Sequence, residues 1–382
     1  MSTTSPSTSG IEPARRFRLK LPRYRLADLL ERDANNLDLV RLAAACLVIF
    51  GHAFVLVPEA AHPFGTWDPT ARYLGYPGVY SASVAVKLFF FISGLLVTHS
   101  LLERQSLKAF LLARFFRIWP AYLVMLLVTA FVIGPLHTNL EPGEYFGQPG
   151  SYRYFWQNAL LLGNASLPGV FVDNPYPNQI NGAIWSLTYE VAAYAGLFGL
   201  FVLRLTRRRF ICSVLAILMI VDPLLPHSLF FPAMTANPQI RYLPASFALG
   251  AWLALCKDRI TLGPLQVGAA IAGFLLLHAT PLGPLAFFVC LFLTILYMSG
   301  LPLVRCLKIS SDPSYGTFLW GFVIQQVVAA HFADRGLVFN LVMSLGLAML
   351  AGFLSWHLIE RRAIALGRRL ISDRRTPGVP AK

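Results

Sequence analysis

One apolar stretch, LDLVRLAAACLVIFGHAFVLV, contains both Arg41 and His52. Eleven residues make about three helical turns, so a helix places both on one stripe, roughly 16 Å apart along its axis. An ionisable group inside an apolar helix is costly, which makes each a functional candidate. An imidazole, with an ordinary pKa of about 6.5, can take a proton from a hydroxyl at neutral pH. Asp38, three residues before Arg41, is spaced to orient it. The competing readings are a guanidinium that reaches back to lipid headgroups and a histidine satisfied within the core.

Other stretches add partners. In INGAIWSLTYEVAAYA, Ser186 and Tyr194 lie one turn to either side of Glu190. A carboxylate at that depth needs a partner, and His52 and Lys87 are the available groups. A purely structural pair is the alternative. In LARFFRIWPAYL, Arg114 and Arg117 share a helical face and suit a phosphate-bearing molecule. They are also what an ordinary basic flank would hold. Lys87 precedes the small step Ser93-Gly94, and its amine is expected to snorkel outward. Glu360, beside Arg361 and Arg362, reads as a solvated helix end, and Asp222-Pro223 as a break or cap.

The elements that must hold these groups follow from composition. Of 382 residues, 56% are hydrophobic and 13% charged, against roughly 25% charged in soluble domains. That excludes an ordinary soluble enzyme and leaves an all-α, polytopic membrane bundle. Ten apolar runs are long enough for consideration, near 37–57, 79–102, 117–136, 182–203, 210–227, 241–256, 261–280, 284–302, 315–334 and 336–359, the fifth and sixth being short. With the N-terminus inside, the inside segments hold 26 of the 32 Lys and Arg. This bias favours about ten transmembrane helices with both termini cytoplasmic. The net charge of +14 is thereby explained without nucleic acid. Residues 1–36 form a basic cytoplasmic tail, 37–362 the membrane domain, and 363–382 a second basic tail; the sequences at both ends look disordered.

No cleavable signal peptide is visible. The five cysteines lack CxxC spacing and read as buried hydrophobes, and no metal is expected. The long outside loop 137–181 is rich in Tyr, Trp, Pro and Asn, suiting either sugar faces or an interfacial belt. Nucleophile-elbow, P-loop, HExxH and dinucleotide motifs are absent.

In order along the chain, these motifs resemble the type-three integral-membrane acyltransferases. That group includes O-antigen and exopolysaccharide O-acetylases and some macrolide acylases. Arg41 and His52 match its Arg-(ten residues)-His signature, and Phe89 to Leu96 its Phe-Phe-x-x-Ser-Gly element. Arg114 to Pro120 match Arg-x-x-Arg-Ile-x-Pro, and Trp185 to Glu190 match Trp-Ser-Leu-x-x-Glu. Two positions depart from the pattern: Gly321 stands where the family often has a histidine, and Arg362 where it often has proline.

The resemblance implies acyl transfer, with acetyl the expected group, from cytoplasmic acyl-CoA (acetyl-CoA) to a hydroxyl on a glycan or polyketide-like acceptor. It further implies an inner, plasma-membrane location among lipids. His52 would act as base or acyl carrier, with Glu190 orienting it. Arg41, Arg114 and Arg117 would bind the acyl donor, and Trp185 and Tyr315 the substrate. A multi-span transporter or flippase is the competing class; it would commonly show repeated halves, and none is evident.

Overall fold

A computed structural model describes residues 21–31, 33–57, 68–230 and 237–372. The extreme termini read above as disordered lie outside these residues. Twelve helices of the described chain position the site: α1 (Leu37–Leu56), α2 (Ser81–Arg104), α3 (Leu107–Val128), α4 (Pro149–Ala159), α5 (Trp185–Val202), α6 (Arg209–Val221), α7 (Leu243–Leu255), α8 (Pro264–Leu277), α9 (Gly283–Ser299), α10 (Ser314–Phe332), α11 (Gly336–Ser355) and α12 (Arg361–Ser372). The only strands among the described residues are β1 (Tyr24–Arg25) and β2 (Thr261–Leu262), paired antiparallel. The all-α reading therefore holds.

Each of the ten apolar runs contains a helix, but the boundaries differ. The third begins at Leu107, ten residues before the basic flank ends, because Ser106 caps it by accepting from the Ala109 amide at 3.3 Å. Four stretches have the length and hydropathy to cross a membrane: Leu37–Leu56, Ser81–Arg104, Leu107–His137 and Ser314–Ser372. Helices α7, α8 and α9 are apolar but shorter. Thirteen residues, the length of α6 and α7, span about 20 Å, less than a hydrocarbon core of about 30 Å.

The centre of the bundle is α2, lying along α7, with α1 between α2 and α10. Gly250 of α7 faces the α2 backbone so closely that a Cβ there would lie 2.7 Å from the Leu95 nitrogen. A short 3-10 turn, Ala333–Arg335, reverses the chain, so that α10 and α11 pack antiparallel, with Gly316 opposite Gly352 and Asn340 opposite Gln325. Gly321 packs on Ile49 of α1, where a Cβ would meet the Ile49 side chain at 2.7 Å. A histidine at this position would collide with α1, which is the physical counterpart of the first departure from the family pattern.

Three segments expected to be tail or loop are folded, one of them 363–372 of the C-terminal tail, which is part of α12. Leu26 and Leu29 of the basic N-terminal segment are buried, and Tyr24 donates to the Gly300 carbonyl at 2.7 Å. Within 137–181, Pro142–Gly147 and α4 are helical, and Tyr145 and Tyr154 belong to the core at 0% exposure. Trp156, at 63%, stays outside.

Candidate active site

Two side-chain contacts fix the starts of α1 and α10. Asn36 accepts from the Leu39 amide and donates to the Val304 carbonyl at 2.7 Å, anchoring the start of α1 beside the 300–313 segment. Asp312 accepts from the Ser314 hydroxyl at 2.5 Å at the start of α10. These two starts lie side by side, so Asp312 meets Arg41 at 3.0 Å and Arg117 of α3 at 2.6 Å. Arg117 also meets Glu360 at 3.2 Å, and Arg41 meets Asp38 at 3.7 Å, the pair expected from their spacing. Glu360 is the last residue of a π-helical turn, Trp356–Glu360, that joins α11 to α12. The wider turn rotates it inward, where it is 1% exposed and accepts from the Ser355 hydroxyl at 2.8 Å. It is therefore an internal anchor and not the solvated helix end its arginine neighbours suggest.

Burial alone would raise the pKa of the Asp312 carboxyl. The charges of Arg41 and Arg117 outweigh it and hold the group well below the usual carboxylate range.

Above this charge cluster lies a cavity of about 450 Å³. Arg41, Arg114 and Arg117 all line it, as their assignment to an acyl donor requires, and so do Glu190 and Tyr315. Arg104 and Arg368, which the sequence reading did not single out, also border it. Glu190 accepts from the Ser93 hydroxyl at 2.8 Å and from the Tyr194 hydroxyl, while Arg114 lies over the Tyr194 ring at 5.8 Å. Ser93 thus supplies a hydroxyl to the cavity wall in addition to the small step seen in sequence. Tyr315 donates to the Ile118 carbonyl at 3.0 Å, with Arg117 over its ring. Trp185 does not line the cavity and rests edge-on against Tyr189.

His52 and Glu190 are not brought together: no hydrogen bond or ion pair links them among the described residues, and His52 does not line the cavity. The reason is axial position. Phe89 and Phe318, whose rings meet edge-on at 5.9 Å, both line the cavity. His52 instead packs edge-on against Phe322, at 5.0 Å. Phe318 and Phe322 are four residues apart on α10, so the ring that lines the cavity and the ring that meets His52 are about 6 Å, one helical turn, apart along that helix.

The His52 ring differs from the other helical imidazoles. His137, His331 and His357 each bring Nδ1 within 2.9 Å of the carbonyl four residues earlier. The buried His52 Nδ1 has no hydrogen-bond partner among the described residues. A buried polar atom without a partner is expensive, and a catalytic role is one of the reasons such an atom is kept. Lys87, the other proposed partner of Glu190, is fully buried. It donates to Ser83 and, at 3.0 Å, to the Gln239 carbonyl, so neither pairing nor snorkelling occurs.

Residues 34–361 match the acyltransferase domain family also represented by these motifs. The chain belongs to that family. The acyltransferase is similar to nodulation protein 10 of Rhizobium leguminosarum bv. viciae, at 27% identity over 89% of this chain and 96% of that protein. It is also similar to an O-acetyl transferase of Shigella phage Sf6, at 23% identity over 86% of this chain and 96% of that protein. No solved structure matches.

Proposed function

We propose that this acyltransferase moves an acetyl group from acetyl-CoA to a hydroxyl of a carbohydrate, working in the cell inner membrane with about ten spans and both ends cytoplasmic. The observation that carries this reading is the cavity itself: arginines line it, and it reaches Phe318, one turn along α10 from the Phe322 ring that meets His52. The phage relative's name supports an oxygen acceptor and an acetyl group. The resemblance to O-antigen and exopolysaccharide O-acetylases supports a sugar.

The donor enters from the arginine side and its thioester lies beyond Ser93 and Glu190. Swinging Phe318 aside joins the cavity to His52. The acceptor hydroxyl attacks the thioester carbonyl while His52 takes its proton, and the tetrahedral intermediate expels the CoA thiolate. Glu190, which faces the cavity and not His52, accepts hydrogen bonds from the donor arm. The test is transfer of labelled acetyl from acetyl-CoA in membranes, followed by mass spectrometry of surface glycans with and without the gene. Label in an acceptor, and a glycan mass increment of one acetyl, are expected. No transfer from any acyl-CoA would overturn the donor assignment.

A further inference from the structure

The arginines expected to hold phosphate are not equally free. Arg41 and Arg117 are already neutralised by Asp312, Asp38 and Glu360. Among the described residues, Arg104, Arg114 and Arg368 border the same cavity without an ion-pair partner. Arg104 ends α2, Arg114 lies on α3 and Arg368 on α12. The match to the family stops at residue 361, so α12 lies almost entirely beyond it. Yet Ile364, Gly367, Arg368 and Ile371, one face of α12, line the cavity. That helix is docked firmly. Gly367 packs against Phe116 so closely that a Cβ would lie 2.8 Å from the ring, and Lys108 donates to the Leu370 carbonyl at 3.2 Å. Glu360, held by Arg117 and Ser355, fixes its start.

We infer that α12 completes the donor site of this chain, and that Arg368, together with Arg104 and Arg114, binds the phosphates of the donor's nucleotide end. The inference rests on reading the cavity as the donor site. Arg41 and Arg117, by contrast, form the floor that holds α1, α3 and α10 in register. A guanidinium without a carboxylate can form charge-assisted bonds to a phosphate without first breaking an ion pair, which is the advantage the three free arginines have.

The test is titration of the purified full chain in zwitterionic lipid nanodiscs with adenosine 3′,5′-bisphosphate, alongside KM for acetyl-CoA. The parent is expected to bind the bisphosphate and to ignore adenosine. Arg368→Gln should weaken that binding, and raise KM, by about tenfold, the size of one solvent-screened charged contact, with kcat unchanged. Arg368→Lys should recover part of the loss. Arg369→Gln, the same charge change on the neighbouring position outside the cavity, should match the parent and shows that α12 tolerates the loss of one charge. Parent-like affinity in Arg368→Gln, or no bisphosphate binding by the parent, overturns the inference. If acetyl-CoA still serves as donor in that case, the proposed function stands without it. If the bisphosphate binds through Arg368 but acetyl-CoA gives no transfer, the nucleotide-end site stands and acetyl falls as the group transferred.

Discussion

Replacing Asp312 by Asn would leave Arg41 and Arg117 side by side with their shared carboxylate gone. The three side chains are 13–22% exposed, so water screens them poorly. The expected cost is about 3 kcal/mol, the lower end for breaking a buried pair, read as a drop in the thermal unfolding midpoint. The pH dependence has a fixed sign. The folded carboxyl has a depressed pKa, so its stabilisation is complete above the unfolded value of about 3.9 and drains away as pH falls further. The gap between parent and Asp312→Asn should be flat from pH 5 to 8 and narrow only below about pH 4. A gap that already closes between pH 7 and 5 would show that the pair does not hold as described. Asp312 was illegible in the sequence because SSDPS resembles any polar turn, and its partner Arg117 is 195 residues away. Arg41, Glu190 and His52 were legible, since an ionisable group in an apolar run is conspicuous, and Arg114 through its spacing from Arg117. The absence of a Glu190–His52 contact was not, because spacing within each helix says nothing about the axial offset between helices.

Helices were the most legible elements, since each apolar run was long enough to form one, although α8 has no fully buried residue. Their ends and joins were less so. The π turn at Trp356–Glu360 shifts register by one residue and carries Glu360 from the solvent side to the inside, a change no local pattern announces. Helix contact distance was equally hidden. Gly250→Ala adds a single Cβ against the Leu95 backbone nitrogen, which cannot step aside as a flexible side chain would. The helices α2 and α7 must then separate, at a cost of about 1–3 kcal/mol by the usual scale of overpacking. Unfolding of the variant in detergent, followed by fluorescence, checks this; a midpoint equal to the parent's would contradict the close approach of the two backbones.

At the scale of the whole molecule, the lysine and arginine bias assigns one end of the bundle to the cytoplasm. The Arg41–Asp312–Arg117–Glu360 cluster marks the end assigned to the cytoplasm, and Cys306, exposed just before it, reports on that assignment. With Cys306 as the sole cysteine, a membrane-impermeant maleimide should label inverted vesicles and spare intact spheroplasts. Labelling of spheroplasts would reverse the orientation. Everything mechanistic converges on one imidazole whose buried Nδ1 has no hydrogen-bond partner among the described residues. The rate of labelled acetyl transfer by purified His52→Ala, compared with the parent at matched thermal midpoints, tests it most directly. Removal of a general base should slow transfer between about a hundredfold and ten-thousandfold. Transfer at the parent rate would contradict the role of His52.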